Sequence, residues 1–213
     1  MCRSVIVLHY DAVHINDRCD WESLGRLAES QAGYVTSAQA ADVGFHRNTL
    51  GHHARPGGRL ERIRRGLYRL RFFARSQFDP IAAAWVQAGP QVAVVSHESA
   101  LELYGLSDVV PAEVHLTLPR KQRGRRQPAG VRYHRPREPR HHGRPRLVHG
   151  VRATSPEETI VDVIEGGTQP EQIEAAVRDA LARSLTTKGR LRAAASARPG
   201  TTRDTIERLI EGA

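Results

Sequence analysis

Hydrophobic positions along the chain follow two different periods. In residues 21–33, Trp21, Leu24, Leu27 and Ala28 recur at helical spacing and predict one buried helix face. Tyr34 and Val35 read as a short extended link. Thr36 with Gln39 three residues later fits a capping box that opens a second helix, and Gly44 fits its stop. Residues 45–55 carry a third short helical pattern, broken by Pro56-Gly57-Gly58. The period then shifts towards alternation. Leu60, Ile63, Leu67 and Leu70 are the apolar members of two short runs, and Arg64-Arg65-Gly66 between them predicts a hairpin turn. This order of elements is that of a winged helix-turn-helix.

Beyond a linker at residues 75–79 the pattern mixes both periods. Residues 80–89 read as a helix and residues 91–96 as a buried strand. Ser96 is placed to cap a helix that Gly105 ends. Residues 113–119 alternate as a strand, and residues 130–135 and 147–154 are two further strand candidates. Ser155, Pro156 and Glu158 form a helix start with an N-cap, a first-turn proline and a capping-box acid. Ile173, Val177, Ala180 and Leu181 mark an amphipathic helix, and residues 201–212 predict one more. The expected fold class is α+β. A winged helix-turn-helix over residues 21–75 precedes a mixed α+β region over residues 76–213, and residues 1–20 stay unassigned.

Charge adds a functional direction. The net charge is +9, but residues 44–75 carry nine basic groups and one acid, and residues 119–146 carry eleven and one. The remainder is net acidic. Two concentrated basic blocks point to a polyanionic partner, which an evenly spread charge would not. Of the basic residues only Lys121 and Lys188 are lysines. The longest early apolar run, Val5–Leu8, is too short for a signal peptide or membrane span. With two cysteines and no disulfide framework, a soluble cytoplasmic protein is expected.

Reading DNA requires a helix with polar side chains for the major groove, donors for phosphates, and a wing. If Leu50 anchors the third helix, Asn48, His52 and Arg55 lie about 160°, 200° and 140° away at 100° per residue. They are the expected base readers, since Asn suits adenine and Arg suits guanine. Arg47 and Thr49 flank that face as phosphate contacts. Arg62, Arg64, Arg65 and Arg69 line the wing, with Arg71 continuing the row. The competing readings are an ordinary solvated helix face and a winged helix used for protein contact. Gly51 in the helix interior costs roughly 1 kcal/mol relative to Ala.

These residues also carry a family resemblance. Gly33–Ala40 followed by a glycine turn and Leu60–Tyr68 is similar to the N-terminal domain of AbiEi-type antitoxins of abortive-infection, type IV toxin–antitoxin systems. Ser96–Asp108, Val114–Pro119, Gly130–Arg135 and Gly150–Val163 resemble the antitoxin domain of the same family. The likeness spans about residues 21–195. It implies a protein that binds inverted repeats in its own promoter DNA as an autorepressor. It also implies neutralisation of a cognate nucleotidyltransferase-like toxin. A stand-alone winged-helix regulator with a C-terminal sensor domain is the alternative.

The second basic block admits three readings: a further DNA contact, a docking face for an acidic toxin surface, or a solvated loop. In the first, Arg120, Lys121, Arg123, Arg125 and Arg126 bind phosphates. No enzyme signature emerges. HExxH, CxxC and phosphate-loop patterns are absent, and neither lysine completes the D/E-x-K spacing of a metal-dependent nuclease. The adjacent pairs His52-His53 and His141-His142 do not suggest a metal site. No cofactor and no catalytic residue is therefore expected.

Overall fold

The computed structural model describes residues 19–122, 124–136 and 144–212. Helix α1 (Trp21–Glu29) begins at Asp20, whose carboxylate accepts from the Ser23 N–H at 2.9 Å and buries Leu24 and Ala28 on one face. Strand β1 (Tyr34–Thr36) leads into α2 (Ser37–Ala41). The Thr36–Gln39 capping box is fully formed: Thr36 Oγ1 accepts from the Gln39 N–H, and Gln39 Oε1 accepts from the Thr36 N–H. After Gly44, at φ +85°, comes α3 (Arg47–His53), then β2 (Leu60–Arg64) and β3 (Leu67–Leu70), joined through Gly66 at φ +77°.

The extended link at residues 34–35 is therefore a strand. It pairs antiparallel with β3 and makes a three-stranded sheet of order β1-β3-β2. Helix α3 is shorter than its sequence pattern. Phe45 is buried ahead of it, His46 occupies the N-cap position, and Arg55 lies in the turn beyond it. Arg55 precedes Pro56, whose ring disfavours helical backbone in the residue before it.

Alternation assigns the two faces of this sheet to two cores. Val35, Leu60, Tyr68 and Leu70 pack with Leu24, Phe45 and Leu50 under the winged-helix helices. Tyr34 and Leu67 belong to the large core of the following region. Residues 75–79 are thus not a loose tether. Phe78 is buried and stacks on His149 at 4.4 Å between centroids.

The following region contains α4 (Asp79–Ala88), β4 (Val94–Val95), α5 (His97–Tyr104), β5 (Val114–Thr117), β6 (Val131–His134), β7 (Arg146–Val148) and β8 (Val151–Ala153). Helices α6 (Pro156–Gly166), α7 (Pro170–Ala182), α8 (Lys188–Ser196) and α9 (Gly200–Glu211) follow. The sheet order is β6-β5-β4-β8-β7, with β4–β8 and β5–β6 parallel and the other pairs antiparallel. The single strand expected over residues 147–154 is a hairpin, β7–β8, turning at His149-Gly150, both at positive φ. Helix α8 carries little apolar periodicity, because its buried residues are only Leu191, Ala194 and Ala195. Ser155 caps α6 as expected, and Glu158 is held by Arg198 at 2.9 Å. Ser96 stands at the N-cap of α5 but makes no side-chain cap bond. Its hydroxyl accepts from Thr117 at 2.8 Å and contacts His97 Nδ1 at 2.9 Å.

Candidate nucleic-acid interface

The surface of α3 is built from below. Leu50 and Phe45 anchor it in the first core, and Trp21 meets Phe45 edge-on at 4.7 Å and His53 at 4.8 Å. Burial holds the His53 imidazole below its usual pKa, with smaller contributions from His52 and Arg59. The Arg59 guanidinium sits over the Trp21 ring at 5.0 Å, tying the start of the wing to α1.

With the helix fixed in this way, Arg47, Asn48 and His52 are exposed, Arg55 is exposed in the turn, and Thr49 is half-buried. Arg62 and Arg65 are exposed on the wing, and Arg64 is half-buried. Arg59 is a further exposed cation beside α3 that the hairpin pattern did not single out. Its only advance signal was its place in the basic block.

Two glycines shape the path from helix to wing. Gly57 has φ +79°. A Cβ on Gly58 would lie 2.0 Å from the His53 carbonyl oxygen, so the chain can fold back under α3 only without a side chain there. Gly51, by contrast, is exposed and has no atom of this chain within reach of an added Cβ.

Arg69 departs from its expected role. It pairs with Tyr34 across β1–β3 and shares the sheet face that is turned to the second core. Its side chain is 2% exposed and donates to the Phe73 and Ala74 carbonyls at 2.9 and 2.6 Å. It is therefore an internal strut and not a phosphate ligand. Arg71 is exposed, and its Nε donates to the Leu60 carbonyl at 2.9 Å.

The second basic block divides in the same way. Arg120, Lys121 and Arg126 are exposed. Arg125 is not available to phosphates in this arrangement. Its guanidinium donates to the Ala88 and Gln87 carbonyls at 2.6 Å each, satisfying the end of α4. Arg123 lies outside the described residues. The block runs from the end of β5 to β7, and β6 and β7 are the two edges of the five-stranded sheet.

Comparison with known proteins fits both halves. Residues 92–212 match the family model of the AbiEi antitoxin C-terminal domain, and residues 22–71 match that of the transcriptional regulator, AbiEi antitoxin. The chain belongs to the AbiEi antitoxin family. The crystal structure of the RV2827C protein from Mycobacterium tuberculosis shares the fold of this AbiEi chain. Its TM-score is 0.55 at 18% identity, over 88% of this chain and 74% of that one. No curated protein sequence matches the chain. Among the described residues of this AbiEi protein, no helix is long and apolar enough to cross a membrane.

Proposed function

We propose that this AbiEi antitoxin binds its own promoter DNA as an autorepressor, probing inverted repeats with α3 and the wing. The observation that carries the reading is that Arg47, Asn48, His52, Arg55, Arg62 and Arg65 are all exposed, on one short helix, the turn after it and the adjoining hairpin. Asn48, His52 and Arg55 supply base contacts, and the flanking Arg47, Thr49, Arg62, Arg64 and Arg65 supply phosphate contacts. Arg120, Lys121 and Arg126 extend the phosphate track. No catalytic step belongs to this reading. The region after residue 76 counters a cognate nucleotidyltransferase-like toxin in the cytoplasm.

The test is an anisotropy titration against the protein's own upstream DNA and an unrelated duplex, at several salt concentrations. Selective binding to the upstream DNA, lost in an Asn48→Ala/His52→Ala/Arg55→Ala variant, supports operator reading. Equal weak binding to both duplexes sinks it. Co-purification with a co-expressed nucleotidyltransferase-like toxin tests the second half.

A stand-alone regulator with a sensor region is the second reading. It is favoured by a pocket of ≈ 170 Å³ between α5 and the β5–β6 edge of the sheet.

A further inference from the structure

Three histidines converge on that pocket, and none belongs to the adjacent pairs visible in the sequence. His97 opens α5, His115 lies on β5 and His134 lies on β6. In the parallel β5–β6 ladder His115 pairs with Arg132 and Thr117 with His134. Strand alternation therefore sends His115 and His134 out of the same sheet face. His97 covers them from α5. Its ring stacks on His134 with centroids 3.5 Å apart and planes 17° from parallel, and lies 5.8 Å from His115. One potential ligand nitrogen from each of the three falls within 4.8 Å of the others.

We propose that this pocket binds one divalent cation of the zinc class through His97, His115 and His134, with a fourth position for water or another ligand. Three features support a cation here. His115 is 9% exposed, and its Nδ1 is buried with no hydrogen-bond partner among the described residues. A buried imidazole normally finds one.

Secondly, His97 Nδ1 faces Ser96 Oγ at 2.9 Å and Asp162 Oδ2 at 3.9 Å. The Ser96 hydroxyl is the hydrogen-bond partner of this nitrogen, with the Asp162 carboxylate farther behind it, and a polar partner on one ring nitrogen is how metal-binding histidines are oriented, with the other nitrogen left for the ion. Thirdly, the end of α6 closes on the ring. A Cβ on Gly166 would stand 3.3 Å from His97 Cδ2, so the glycine permits the approach.

The geometry is close to what zinc requires. Zn–N bonds of about 2.0–2.1 Å at tetrahedral angles place ligand nitrogens about 3.4 Å apart. The three nitrogens lie within 4.8 Å of one another, and closing on one ion requires the His97 and His134 rings to turn out of their near-parallel stack. Glu98 and Glu113 at the rim are already engaged, by Thr168 at 2.9 Å and Arg132 at 3.1 Å. They add negative potential without being needed as ligands. A bound ion would clamp the first residue of α5, which is held at φ +53°, to the β5–β6 edge.

The probe is the metal alone, on the full chain stripped with a chelator. Zn²⁺ is titrated by calorimetry, and Co²⁺ is followed by its visible d–d spectrum. The expected result is one ion per chain and an intense, tetrahedral-type cobalt spectrum. His134→Gln should weaken binding by more than the about 10–100-fold that loss of an outer partner costs, and Asp162→Asn by about 10–100-fold. His52→Gln/His53→Gln and His141→Gln/His142→Gln should leave it unchanged. Circular dichroism checks that each variant folds, and half-buried His134 is the substitution least disruptive to the core. A wild-type cobalt spectrum no different from that of the hydrated ion would overturn the site without any variant. Binding that follows the adjacent histidine pairs would overturn it equally. Loss of DNA binding with metal binding intact would defeat the proposed repressor function and leave this site standing.

Discussion

The guanidinium of Arg69 on β3 lies 3.9 Å from the carboxylate of Asp79, the first residue of α4. This contact crosses from the wing sheet into the following core. Arg75 joins it, bonding Glu61 at 2.5 Å and Asp79 at 3.5 Å. The winged helix and the region behind it are thus joined through a charged network on one face of the sheet.

Removing Arg69 takes the side-chain donor from the Phe73 and Ala74 carbonyls and a cation from beside Asp79. Breaking a buried pair by deleting one partner costs about 3–5 kcal/mol. Arg69→Ala should lower unfolding stability by roughly 3 kcal/mol in urea. Arg65→Ala, on the exposed wing tip, should change it by no more than about 0.5 kcal/mol. Equal stability in the two variants would contradict the internal role of Arg69.

In the second basic block, stability and DNA affinity should separate. Arg125→Ala removes the donor to the last carbonyls of α4 and should lower the melting temperature while leaving the salt slope of DNA binding intact. Lys121→Ala/Arg126→Ala should leave stability unchanged and reduce the slope of log K against log salt by about 0.9 per lost phosphate contact. A slope that follows Arg125 would reverse these roles.

Glycine substitutions on either side of the α3–wing turn should act in opposite senses. Gly51→Ala meets nothing within the chain and should stabilise α3 by up to about 1 kcal/mol. If α3 approaches the duplex closely there, the same change weakens operator binding. Gly58→Ala drives a methyl into the His53 carbonyl and should destabilise the winged helix outright. Chemical denaturation of both variants distinguishes steric need from helix propensity.

The depressed pKa of His53 predicts a pH dependence. The unfolded chain binds this proton more tightly than the folded one, so stability rises with pH through the interval below the ordinary value of 6.5. The full contribution is present above that value and is lost as pH falls through the window down to the folded pKa. Urea midpoints between about pH 5 and about pH 8 measure it. His53→Gln should flatten this part of the profile, and an unchanged profile would assign the dependence to other groups.

Much of the winged helix was legible because its signals are local. The capping bonds between Thr36 and Gln39 span three residues, and the stop at Gly44 and the turn at Gly66 are single-residue requirements for positive φ. The ends of α3 were less legible. There the buried Phe45 before the helix and the constraint of Pro56 after Arg55 competed with the apolar period. The β7–β8 hairpin is not legible in the sequence, because a short apolar run around His149-Gly150 does not reveal that it reverses.

The sequence by itself determined which segments become helices and strands of the wing, where the basic charge is concentrated, and which family the chain resembles. Those properties arise from neighbours within a few residues and from composition. Only the tertiary structure decided which charged groups reach solvent. Strand pairing turned Arg69 inward beside Tyr34, and folding brought Arg125 to carbonyls nearly forty positions away. It also gathered His97, His115 and His134 from a helix start and two strands onto one pocket. Such contacts depend on which strands become neighbours and in which register. The balance of burial across the whole core settles that, and no local period encodes it.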